Sequence, residues 1–176
     1  MTAALITHDL VKNFGGLTAT DHVSLTIAKG ARHALIGPNG AGKTTLINLL
    51  TGVLAPTSGR ISLIGEDISA LSQNQRVKRG LVRTFQINQL FADLTPLQSL
   101  GLAISERSGH GSDWWRVAGT DRNVIAEAIE TLSRFGLADV IDTPTHFLPY
   151  GKQRLLEIAL AFACKPQVLL LDEPAA

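Results

Sequence analysis

The residues with the plainest chemical potential are Gly37-Pro38-Asn39-Gly40-Ala41-Gly42-Lys43-Thr44-Thr45, a run that satisfies the pattern G-x-x-x-x-G-K-[ST] at every fixed position. Glycines at 37, 40 and 42 reach backbone angles closed to other residues, so the main-chain N–H groups can turn inward around an anion. A helix N-terminus aimed at the same point contributes only about 0.3–2 kcal/mol toward one charge, too little for a polyphosphate. Lys43 supplies the difference as a flexible point charge, and the Thr44 hydroxyl is placed to hold Mg²⁺. A glycine-rich turn ahead of an ordinary core helix would share the pattern, but the flanking sequence has the order that phosphate binding needs.

A second chemical feature closes the chain. Val168-Leu169-Leu170-Leu171 is a continuous apolar run of the kind found in a strand buried on both faces, and it delivers Asp172 and Glu173 at its carboxyl end. In a chain that also carries a phosphate loop, Asp172 is placed to bind Mg²⁺ directly or through water. Glu173 is then positioned to polarise an attacking water, a general-base contribution worth about 10²- to 10⁴-fold in rate. Without the phosphate loop, the two acids would read as a surface strand end.

The elements that must position these residues follow from periodicity. Ala34-Leu35-Ile36 is a short run of strand type, and Lys43 to Thr51 reads as a helix with Leu46, Leu49 and Leu50 on one side, stopped by Gly52. Upstream, Ala3 to Val11 and Val23 to Ile27 alternate as half-buried strands around the turn Asn13-Phe14-Gly15-Gly16. Downstream, the turn Pro56-Thr57-Ser58-Gly59 leads into an alternating strand over Arg60 to Ile64. A short helix from about Ser72 to Lys78 precedes a strand from Leu81 to Phe85, with Gln86 at its end. From about Asn88 to Cys164 the period becomes helical. The clearest case is Asp121 to Phe135, where Val124, Ile125, Ala128, Ile129, Leu132 and Phe135 share a face and Gly136 ends the helix. Ser105 to Thr120 is polar and glycine-rich apart from Trp114-Trp115, which either anchor to a partner or to lipid headgroups, or pack on neighbouring helices.

At 176 residues the chain suits one domain that buries roughly 70% of its unfolded surface. A formal net charge of +1 gives no electrostatic reason to expect nucleic acid. No stretch approaches the roughly 20 apolar residues of a membrane span, and the N-terminus lacks a secretory pattern, so a cytoplasmic chain is expected. The single cysteine, Cys164, follows an apolar run and reads as a buried, inert thiol in a reducing compartment.

The phosphate loop, Gln86 within Arg83-Thr84-Phe85-Gln86, Leu148-Pro149-Tyr150-Gly151-Lys152-Gln153-Arg154 and Leu169-Leu170-Leu171-Asp172-Glu173-Pro174 occur in the order and spacing of one family. Over essentially its whole length the chain resembles the ATPase domain of ATP-binding cassette (ABC) transporters. The Arg-Thr-Phe-Gln tetrad, the Tyr-Gly signature variant and the terminal Asp-Glu-Pro-Ala-Ala are most similar to the ATP-binding subunits of branched-chain amino acid importers. The resemblance implies an α/β fold: a P-loop NTPase core with a mixed or parallel sheet, an N-terminal antiparallel β subdomain and an α-helical subdomain. Residues 1–87 and 155–176 would form the nucleotide-binding core and about 88–154 the helical subdomain of a single domain, 1–176.

The resemblance also assigns roles. Phe14 matches the aromatic that stacks on adenine, a contact worth about 1–3 kcal/mol, although a core aromatic beside a strand is the other reading. Gly37, Pro38, Asn39, Gly40, Ala41, Gly42, Lys43, Thr44 and Thr45 would hold the phosphates of ATP. Thr44, Gln86 and Asp172 would hold Mg²⁺. Gln86 would also reach the attacking water, with Glu173 as base, and Gly151 would cap the ATP of a second ATPase subunit. Ile87 to Leu97, with Leu90, Phe91 and Leu94, would help form the groove for a coupling helix of a hydrophobic, multi-span permease, keeping the chain peripheral on the inner face of the membrane; these apolar residues would equally serve as helical core. Two other functions fit the same motifs: a cassette ATPase of DNA repair or translation, and a non-catalytic interaction module. The transported solute is touched by none of these residues, and branched-chain amino acids or another small amide are implied only by similarity.

Two departures from the family pattern bear on activity. The signature is typically Leu-Ser-Gly-Gly-Gln; here Leu148 and Gly151 match, while Pro149 replaces the serine and Lys152 the glutamine. Proline has neither hydroxyl nor N–H, so a bond to the partner's γ-phosphate is lost and a weaker dimer is expected. The family also places a histidine beyond the Asp-Glu-Pro segment. None of His8, His22, His33, His110 and His146 lies there, so a truncated domain that binds nucleotide but hydrolyses poorly is expected.

Overall fold

The computed structural model describes residues 2–84, 90–109 and 121–171. Gln86, Trp114, Trp115, Asp172 and Glu173 therefore lie outside the described residues. The chain divides into two compact units, Met1–Val82 and Arg83–Ala176.

The first unit is built on a long hairpin. Strands β1 (Ala3–Phe14) and β2 (Leu17–Ala28) pair antiparallel across the turn at Gly15 and Gly16. They run further than the alternation in the sequence indicates, because irregularities interrupt the register between Thr7 and Lys12. Asp9 (φ 53) and His22 (φ 45) adopt left-handed backbone there, and Asp9 Oδ1 lies 2.7 Å from His22 Nδ1 across the strands. The irregularity breaks the alternation of burial: Leu5 and Thr7 are buried before it, and the adjacent Leu10 and Val11 after it. A simple period-2 count across β1 cannot follow that shift.

Strand β3 (Ser58–Leu63) pairs antiparallel with β1, and the two-residue β4 (Glu66–Asp67) with β3, giving the order β2-β1-β3-β4. Helix α1 (Lys43–Thr51) contributes Leu46, Leu49 and Leu50 to the buried set that includes Leu5, Leu10, Ile61 and Leu63. Leu49 is fully enclosed, and truncating such a side chain to alanine typically costs about 2–5 kcal/mol. Helix α2 (Gln73–Lys78) starts at Ser72 with a capping box, Gln75 Oε1 accepting from the Ser72 N–H at 2.9 Å.

Among the described residues, the second unit has three α-helices: α3 (Pro96–Arg107), α4 (Arg122–Arg134) and α5 (Tyr150–Ala163). Thr95 caps α3 with Gln98 completing a capping box, and Asp121 caps α4 by accepting from the Asn123 N–H. Leu100, Ile104, Ala128, Leu132, Leu156 and Ala159 form their common core. Val124, Ala128 and Leu132 are buried on α4, whereas Ile129 is 43% exposed. The burial stripe is thus narrower than the six apolar residues expected from the sequence. Arg107 joins the three helices: it donates to both carboxylate oxygens of Glu127 on α4 and to the Ala163 carbonyl at the end of α5. Just after the short strand β5 (Leu81–Arg83), the Thr84 N–H donates at 2.9 Å to the Leu170 carbonyl of strand β6 (Val168–Leu170), within the second unit.

Two expectations from the sequence are corrected. Ala34-Leu35-Ile36 is not a strand, and Leu35 and Ile36 are 48% and 88% exposed. A strand needs a ladder for its N–H and C=O groups, and this run has none among the described residues. Val168–Leu170 is a strand but only half-buried, not buried on both faces. Cys164 is likewise half-buried; burial pushes its thiol up, which agrees with an unreactive side chain.

Candidate functional site

The local geometry of the phosphate loop follows from its glycines. Gly42 is the N-cap of α1 with φ 81, a left-handed angle, and it places no capping side chain over the helix end. No acidic residue occupies the first turn of α1. The first N–H groups of the helix and the positive end of its dipole therefore keep no built-in carboxylate partner, the condition under which a helix N-terminus accepts an external anion. The Leu46 N–H closes the first turn on the Gly42 carbonyl at 2.9 Å, and the Ala41 N–H reaches the Pro38 carbonyl at 3.3 Å.

Lys43 folds back over the loop. Its Nζ donates to the Gly37 carbonyl at 2.6 Å and to the Pro38 carbonyl at 2.7 Å, so the ammonium is held above the loop amides by the loop itself. Thr44 is exposed and Thr45 half-buried in the first turn of α1; Pro38, Asn39, Gly40 and Ala41 are exposed. The expected phosphate-binding residues thus form one continuous surface.

Phe14 is brought to the same part of the unit by β2. The backbone of Gly42 lies so close to Ala19 that a Cβ built on the glycine would stand 2.5 Å from the Ala19 carbonyl oxygen. Ala19 is two residues along β2 from Leu17, the register partner of Phe14, a separation of about 7 Å. The ring is 46% exposed, and Lys12 Nζ stands 5.2 Å from its centroid while donating to the Ala55 carbonyl at 2.8 Å. The ring therefore keeps an exposed surface at the end of the hairpin. Ala19 itself escaped sequence reading, since nothing in an alanine announces a close backbone contact.

Gly151 stands in the first turn of α5, exposed, with open space where a side chain would project. Pro149 is the N-cap, its carbonyl accepting from the N–H groups of Lys152 (2.8 Å) and Gln153 (3.1 Å). Lys152 pairs with Asp139, and Gln153 Nε2 donates to the Leu148 carbonyl at 2.9 Å. Among the described residues no cluster of His, Cys, Asp and Glu forms a metal site, and no helix is long and apolar enough to cross a membrane.

A phosphate loop that opens an uncapped helix, followed later in the chain by a glycine at the start of another helix, is the motif order of an ATP-binding cassette. The ABC transporter family model matches residues 20–176, and the chain belongs to that family, whose members hydrolyse ATP. It is 38% identical to the high-affinity branched-chain amino acid transport ATP-binding protein LivG of Salmonella typhimurium, over 98% of this chain and 69% of that protein. It is 36% identical to BraF of Pseudomonas aeruginosa, which carries the same description, over 95% of this chain and 68% of that one. A solved ATP-binding cassette of an ABC transporter in its ADP conformation superposes with a TM-score of 0.86 at 31% identity, covering 100% of this chain and 70% of the other. The α/β fold and ATPase class expected from the motifs are those of these relatives.

Proposed function

We propose that this chain binds Mg-ATP on the surface formed by Gly37 to Thr45 and Phe14, and that the protein energises import of branched-chain amino acids or a similar small solute. The observation that carries the reading is the uncapped, acid-free N-terminus of α1 with Lys43 poised over the loop carbonyls. Main-chain amides of residues 37–45 cradle the phosphates, Lys43 moves from the carbonyls to the outer phosphates, and Phe14 stacks on the adenine. The hydroxyl of Thr44, the amide oxygen of Gln86 and the carboxylate of Asp172 are all hard oxygen donors, a set that suits Mg²⁺. When bound there, the ion neutralises charge on the phosphates. Glu173 takes the proton of the attacking water, which Gln86 helps to orient.

Gly151 caps the nucleotide of a second ATPase subunit. With Pro149 contributing no hydroxyl and Lys152 engaged with Asp139, that contact is thin, and slow turnover by the 176-residue chain follows. A multi-span permease holds the protein at the inner face of the membrane. The similarity to LivG and BraF supports the choice of solute.

Calorimetric titration of the chain with Mg-ADP and Mg-ATP tests the site. Binding heat is expected for the parent chain and none for Lys43→Ala; equal heats from the two proteins would refute the assignment.

A further inference from the structure

Arg76 heads the fully buried side chains of the described residues, at 1% exposure. Its hydrogen bonds go to main-chain carbonyls: Nη1 donates to Leu49 and Leu50 at 2.7 Å each, Nη2 to Ser69 at 2.9 Å and Nε to Leu71 at 3.0 Å. Leu49 and Leu50 lie in the last turn of α1, where the dipole is negative and the Leu49 carbonyl otherwise meets the Gly52 N–H at 3.3 Å. A desolvated cation is thus matched to the helix end and tied to the segment leading into α2. Gly52 makes room for it: a Cβ there would lie 2.9 Å from Arg76 Nε. The capping box at Ser72 fixes the short helix that delivers the guanidinium.

We propose that Arg76 is a positioning residue for the phosphate site, gripping the far end of α1 so that its first turn, with Gly42, Lys43 and Thr44, stays where a nucleoside di- or triphosphate meets it. The inference rests on the phosphate-loop reading above. A nine-residue helix is a rod about 13 Å long, so a pivot of about 5° at its C-terminus moves its N-terminus by about 1 Å. Misplacement by about 1 Å through a distant change can cost about 10²-fold. The distant residue acts on phosphate affinity through geometry and touches no ligand.

The test compares Kd values for Mg-ADP and AMP in the parent chain, Arg76→Lys, Arg76→Met and Arg79→Gln, with folding followed by circular dichroism. Arg79 is a nearby guanidinium whose Nε pairs with Glu66 at 2.6 Å on the surface. Mg-ADP binding is expected to weaken about 10-fold in Arg76→Lys, more in Arg76→Met and not in Arg79→Gln. The ratio of ADP to AMP affinity falls with it, because the loop serves the outer phosphate. A variant that is merely less stable loses both ligands by the same factor, and an unchanged ratio in folded Arg76→Lys overturns the proposal. Should the Arg76 variants fail to fold, Gly52→Ala crowds the guanidinium without removing it, and the ratio is read there by the same criterion. In the parent protein, coupling is reciprocal, so saturating Mg-ADP must slow solvent exchange of the Arg76 Nε–H; an unchanged rate overturns the inference. If the parent chain binds no Mg-ADP, the phosphate-site reading fails first, which separates the two ideas.

Discussion

Replacing Gly42 by alanine perturbs two quantities that can be worked from the geometry. At φ +81 a side chain pays the left-handed penalty, about 1–2 kcal/mol. The new Cβ would stand 2.5 Å from the Ala19 carbonyl oxygen, about 0.8 Å inside an ordinary C···O contact of about 3.3 Å, so β2 or the N-terminus of α1 must give way. If the helix yields, its first amides move by a similar distance, and a phosphate bond of about 2.9 Å stretches to about 3.7 Å, beyond a hydrogen bond. Losing one charge-assisted bond weakens binding by about 10- to 100-fold. Isothermal titration with Mg-ADP measures the affinity and urea denaturation the stability. Gly65→Ala is the control, since Gly65 has the same φ of +81 but open space around it, in the turn between β3 and β4; stability should fall slightly and affinity stay constant. Gly42→Ala that is folded and binds Mg-ADP as the parent does would show that the close approach to β2 does not set the loop.

Three further outcomes are expected. Glu173→Gln retains nucleotide binding but lowers hydrolysis by about 10²-fold or more in steady-state phosphate release, and normal turnover would remove Glu173 as base. Pro149→Ser restores a hydroxyl at the N-cap of α5, and ATP-dependent dimerisation, followed by light scattering, should strengthen. Glu127, hydrogen-bonded by Arg107 and then by Lys165, has its pKa lowered from 4.5 to about 2. A depressed carboxyl pKa contributes stability above the unfolded value that is lost as pH falls through the folded one. Urea midpoints should therefore drop between about pH 4.5 and about pH 2 in the parent chain, and less steeply in Glu127→Gln.

The phosphate loop and α1 were legible in sequence because their determinants are local. Glycine sets the angles, Lys43 to Thr51 carries the apolar stripe, and Gly52 ends the helix with φ 80. Ser72 and Asp121 announced helix starts for the same reason. What escaped depends on distant partners. An apolar run such as Ala34-Leu35-Ile36 becomes a strand only where another strand meets it, and the inward face of β1 changes at a bulge that no period predicts. Nothing in the sequence marks Arg76 as buried, because two of the carbonyls that enclose it belong to α1, more than twenty positions earlier. The loop from Gly37 to Thr45 was readable as a group, whereas the close approach of Gly42 to Ala19 was not.

Lys43 satisfies two of its donors on the carbonyls of Gly37 and Pro38. An ammonium has three donors, so one remains for an incoming anion, and an anion that takes more competes with the loop's own oxygens. In the proposed site a chain of phosphates would meet the loop amides and the lysine together, which a small, singly charged ion such as chloride or acetate would not. If the proposed site is right, the loop's own carbonyls thus set the competition that a nucleotide must win for the lysine.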